Sequence, residues 1–94
     1  MRIFTTWGTV LAADMLCHFH VEGVHLPVFM GGSVFRNGDG TYRICAFAES
    51  LDRVDFDRSY SAVGIASAGA ARRKVKRIMR RLYRELQQTP GVKV

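Results

Sequence analysis

Residues 70–86 read AARRKVKRIMRRLYREL, and one backbone period sorts them by character. At about 100° per residue, Ala71, Val75, Ile78, Met79, Leu82 and Leu86 fall on one stripe, while Arg73, Arg77, Arg80 and Arg84 line the opposite side. Lys74, Lys76 and Arg81 flank that ridge. A stripe this narrow is stable in water only when an apolar surface covers it, so the segment predicts an amphipathic helix packed on the rest of the chain. Ser61 or Ser67 is placed to cap its start, and Thr89, Pro90 and Gly91 supply its stop. The expected helix therefore covers residues 67–88.

The surface under it must come from residues 1–48, which are rich in strand formers. Residues 2–7 read as a strand, with Gly8 a bulge, a turn or a strand end; residues 9–14 fit no pattern. Residues 16–21 alternate, Glu22 and Gly23 fit a tight turn, and residues 24–29 resume the alternation, which predicts a hairpin. Pairing Val21 with Val24 and His20 with His25 puts Cys17, Phe19, Val21, Val24, Leu26 and Val28 on the core face and His18, His20 and His25 on the other. Gly31 and Gly32 read as a separator. A second hairpin then joins residues 34–36 to 41–48 through Asn37, Gly38, Asp39 and Gly40, residues that tolerate turn geometry. Placing Phe35 opposite Tyr42 sets Phe35, Tyr42, Ile44 and Ala46 on the core side. Residues 49–60 are polar and acidic and read as a connecting loop. The expected architecture is α+β: one domain, an antiparallel sheet of four to five strands in two hairpins, covered on one face by the long C-terminal helix.

Charge divides the chain unevenly. Residues 1–66 carry five basic and seven acidic side chains, whereas residues 67–94 carry nine basic and one acidic, Glu85. A solvated helix face ordinarily mixes signs to gain i,i+4 pairs, so a face this uniformly cationic points to a polyanionic partner. Its four ridge arginines span roughly 16 Å at about 1.5 Å per residue, enough for several phosphates or one acidic protein patch. Arginine suits bidentate phosphate and carboxylate contacts but reads no base sequence by itself. The expected binding set is Arg73, Lys74, Lys76, Arg77, Arg80, Arg81 and Arg84, with Arg36 and Arg43 extending the field. No membrane role is expected, because the stripe lacks Trp and Phe and the sheet needs it as a cover.

Other chemistry is weaker. Cys17 and Cys45 lack the paired spacing of a zinc ribbon or redox motif and read as reduced core residues, in keeping with a cytoplasmic chain without a secretory signal. Three histidines on one open sheet face offer a metal no clear fourth donor, so no metal and no cofactor are expected. Glu49, Asp52, Asp55 and Asp57 gather before the helix, yet Arg53 and Arg58 interrupt them and a charge-balancing loop explains them as well as a divalent-metal nuclease does. Ser59, Ser61 and Ser67 have no identifiable activating triad. Residues 70–76, AARRKVK, resemble the basic start of the last helix in double-stranded-RNA-binding domains, over those seven residues alone; that family's N-terminal helix has no counterpart here. The sequence thus leads to a non-enzymatic module that engages nucleic acid or the acidic surface of a nucleoprotein complex. The alternative is a small phage or mobile-element inhibitor or adaptor, anti-CRISPR-like in class, that uses the same ridge to block such a surface.

Overall fold

Alternation along five segments and a 3.6-residue period along a sixth produce the elements β1 (Ile3–Trp7), β2 (Met15–Val21), β3 (Val28–Arg36), β4 (Tyr42–Ser50), β5 (Arg53–Ile65) and α1 (Ala68–Gln88). The computed structural model describes residues 1–7 and 13–92, without the side chains of 53–55. The strands form one antiparallel sheet in chain order, β1-β2-β3-β4-β5, and α1 packs across one face of it. This is the α+β architecture expected. Gly8 and residues 9–12 lie outside the described residues.

Side-chain alternation assigns the two faces. Cys17, Phe19 and Val21 of β2, Val28 and Val34 of β3, Ile44, Ala46 and Ala48 of β4, and Phe56 of β5 turn toward Ala71, Val75, Met79, Leu82 and Leu86 of the helix, and all are buried. Ser67 caps the helix: its side chain accepts the Ala70 N–H at 3.1 Å. Thr89 ends it, with its N–H donating to the Leu86 carbonyl.

Several details differ from the sequence expectation. β3 runs straight through Gly31 and Gly32 instead of breaking there. Glycine is needed because a Cβ on Gly32 would lie 2.5 Å from Val75 Cγ1 and 2.9 Å from Met79 Sδ, so the missing side chain lets the helix approach the sheet. The first hairpin is joined by a longer connection through a cis Leu26–Pro27 peptide, and β2 meets β3 as Phe19 with Gly32, His18 with Ser33 and Cys17 with Val34. Consequently His25 lies outside the strands and His20 pairs with Phe4 on β1, not with His25. Leu26, an expected core residue, is 66% exposed, and Ile78 is only partly buried.

In the second hairpin the pairing is Phe35 with Arg43 and Arg36 with Tyr42, one residue from the expected register. Val34 therefore joins the core and Phe35 leaves it. Residues 49 and 50 belong to β4 and residues 53–60 to β5, the longest strand, rather than to a loop; the inward row of β5 places Arg58 between Phe56 and Tyr60, and that cation breaks the apolar alternation. Ser61 consequently sits inside β5 and caps nothing.

Candidate functional site

Burying Val75, Met79, Leu82 and Leu86 fixes the rotation of α1, and the rest of its circumference follows. Arg73, Arg77, Arg80 and Arg84 are exposed on the side away from the sheet, as the period requires. Among the described residues no ion pair involves these four or Lys74. The field is concentrated and unneutralised.

The two flanks of the ridge differ. Toward β5, Glu85 Oε1 lies 3.4 Å from Arg81 Nε, and its Oε2 lies 4.0 Å from Arg58 Nε. Arg81 also stacks 5.3 Å from the Tyr60 ring centroid and Arg58 stacks 4.7 Å from that of Phe56. Lys74 and Arg81 thus belong to a flank where one carboxylate answers several cations. Toward β1, Lys76 is half-buried with its ammonium 5.6 Å from the Phe19 centroid, and the Arg72 guanidinium lies 4.4 Å from the Trp7 centroid. Neither Arg72 nor Trp7 was among the residues expected from the sequence. Some 65 residues separate them, and no local pattern announces a pairing that the sheet makes by placing β1 beside the helix flank.

Arg36 and Arg43 part company. Arg36 is exposed at the end of β3 and shares the helix-bearing face with its partner Tyr42, so it continues the cationic surface beyond the start of α1. Arg43 projects from the opposite face. It pairs with Asp14, donates to Asn37 Oδ1 at 2.7 Å and stacks 4.7 Å from the Phe35 centroid. The hydrogen bond from Arg43 holds the Asp14 carboxyl below its ordinary value. Arg43 therefore braces the β3–β4 turn and does not join the ridge.

The face opposite the helix carries the histidine pair. His18 Nδ1 is 2.7 Å from Ser33 Oγ, His20 Nε2 is 3.2 Å from Thr6 Oγ1, and the two rings meet edge to face at 4.5 Å. Burial, then the neighbouring charge of His20, lowers the His18 pKa. The Ser33–His18 contact was not foreseen, because it depends on the β2–β3 register. Serine and histidine at this distance can exchange a proton, yet Ser33 is buried and no described carboxylate bonds His18 to orient it, so the contact serves chiefly to satisfy a buried hydroxyl. No group of three or more metal-ligating side chains forms among the described residues. The side chain of Asp55, half of the acidic pair considered from the sequence, lies outside them. Cys17 and Cys45 are both free; burial pushes the Cys17 thiol up, away from the reactive thiolate. No described helix is long and apolar enough to cross a membrane.

No family model, no curated protein and no solved structure matches the chain.

Proposed function

We propose that the chain is a non-enzymatic module that binds a polyanionic partner, nucleic acid or nucleoprotein, through the outer face of α1. The observation that carries this reading is the row Arg73, Arg77, Arg80 and Arg84, exposed and without a described ion-pair partner on a helix whose only acid lies on one flank. Lys74, Lys76, Arg81 and Arg36 broaden the field, and the binding is electrostatic and independent of base sequence.

The test is fluorescence anisotropy with labelled duplex and single-stranded oligonucleotides across a salt series, using the wild type and the variant R73Q/R77Q/R80Q/R84Q. Glutamine keeps helix propensity, and the four side chains make no buried contact, so the variant should stay folded. Its affinity should fall at least tenfold, and the slope of log affinity on log salt should flatten by about 0.9 for each duplex phosphate contact removed. Equal affinity and slope in the folded variant would remove the ridge from the function.

A second reading, the inhibitor or adaptor, draws on a different observation: the sheet face away from α1 exposes Phe4 and Phe29, which suits a protein surface more than a phosphate backbone. Such a protein would bind one nucleoprotein complex stoichiometrically and ignore free polymer.

A further inference from the structure

The helix is set off-centre on its sheet. Its buried stripe rests on β3, β4 and β5, while β1 lies two strands outside β3. Yet β1 still turns Ile3, Thr5 and Trp7 toward the helix side, since they pair with Val21, Phe19 and Cys17. The result is a shelf: β1 forms the floor and one flank of α1 the wall.

Taking Val75 as the centre of the buried stripe, Arg72, Lys76, Arg80 and Tyr83 all fall on the wall side at about 100° per residue, whereas Glu85 falls on the other. The wall is therefore cationic and aromatic with no acid from α1. At its far end Met1, Arg80, Tyr83, Arg84 and Gln87 line a depression of about 330 Å³. At its near end Trp7 keeps 55% of its surface exposed although Arg72 lies against its ring. Among the described residues Arg72 Nε is buried without a hydrogen-bond partner, and the guanidinium lies against the Trp7 ring. From Arg72 to Arg84 the wall runs roughly 18 Å, a length suited to the shorter end of single-strand sites, which span about 4–16 nucleotides.

An open aromatic ring beside a row of cations is the pairing that recognises unpaired bases. Every base offers a π-face for stacking, and in a duplex those faces are occupied by neighbouring bases. The ridge alone would serve a duplex equally well; Trp7 would not. We propose that the shelf between β1 and α1 is a binding site for single-stranded nucleic acid, in which Trp7 stacks a base and Arg72, Lys76 and Arg80 hold the phosphates. It rests on the polyanion reading above and narrows it to one class of partner.

Trp7 is the only tryptophan of the chain, so its emission reports on this site directly. The full chain is titrated with oligo(dT) and oligo(U) of about 12 nucleotides, within the range of known sites, and with a duplex of the same length. Both single strands should quench the emission saturably, and whichever binds tighter identifies the strand type. Trp7→Ala should weaken single-strand binding about tenfold and leave duplex binding within about twofold, while Trp7→Phe, which retains a stacking ring, should recover most of the loss. Should Trp7→Ala prove unfolded by circular dichroism, the quenching and the Trp7→Phe affinity carry the test. Duplex binding that is sensitive to the ridge arginines, with no single-strand quenching and no effect of either Trp7 variant, would overturn the shelf and leave the ridge reading intact. Failure of the wild type to bind any of the three polymers would overturn both.

Discussion

Gly32 sets the distance between the helix and the sheet. With Val75 Cγ1 and Met79 Sδ at 2.5 and 2.9 Å from where its Cβ would be, Gly32→Ala must push the helix outward or force buried side chains off their rotamers. The expected loss is about 1–3 kcal/mol, read as a lower urea midpoint with an unchanged slope; an unchanged midpoint would mean that the helix has room to spare. Gly31 faces the other way, under the Phe47 ring. At His18 the same logic takes a pH-dependent form. Its pKa is lowered first by burial and then by the charge of His20, so the folded chain prefers the neutral ring. The associated stability is complete above the unfolded value of about 6.5 and is lost as pH falls through the lowered folded value. Wild-type urea midpoints should therefore drop between neutral pH and the region below that value. His18→Gln, which can still bond Ser33, should flatten the drop; an identical profile in the variant would assign the titration elsewhere.

Among the elements, α1 was the most legible, because its pattern is local: seventeen residues with one period, a capping serine and a firm stop. Ser67→Ala tests the start of that helix. Removing the acceptor from the Ala70 N–H should cost about 1 kcal/mol and fray the first turn, which hydrogen exchange at Ala70 would register; unaltered exchange there would mean that water replaces the cap without loss. The strands were legible as a class but not in register. Phe35 and Val34 changed faces because a four-residue turn rich in glycine leaves a one-residue slip open, and only the helix-facing demand of Val34 closes it. Gly31 and Gly32 read as a break because glycine is rare in strands, whereas the reason for Gly32 lies more than forty residues away, in Val75 and Met79. β5 read as a loop because Arg58 stands between Phe56 and Tyr60 on the inward row and interrupts the apolar alternation that Asp57, Ser59 and Ser61 on the solvent face would otherwise complete. Of the candidate site, the ridge was legible from helix period alone. Trp7 and Arg72 were not, since a contact between the first strand and the last helix leaves no trace in either segment.

For the whole molecule, the ridge stands against stability. Arg73–Arg77, Arg77–Arg80 and Arg80–Arg84 are like-charged neighbours on one helix face, each unfavourable by a few tenths of a kcal/mol, and among described ion pairs only Glu85 sets an acid of the helix against its cations. The macrodipole gives no relief, as there is no acid in the first turn and no base in the last. Hydrophobic burial of Val75, Met79, Leu82 and Leu86 holds the helix in place in spite of this repulsion. Screening should accordingly stabilise the fold: the urea midpoint of the wild type should rise as salt is raised well above 0.1 M, where the Debye length is about 10 Å. The variant R73Q/R77Q/R80Q/R84Q loses all three like-charged contacts. At low salt it should therefore equal or exceed the wild type, by on the order of 1 kcal/mol, and the gap should close as salt rises. A surface that costs stability and also proves necessary for association would mark a binding site, since ordinary solvated faces are arranged to do the reverse. A variant less stable than the wild type at low salt, with a wild type indifferent to salt, would instead make the arginines part of what holds the helix together, and the polyanion reading would lose its energetic support.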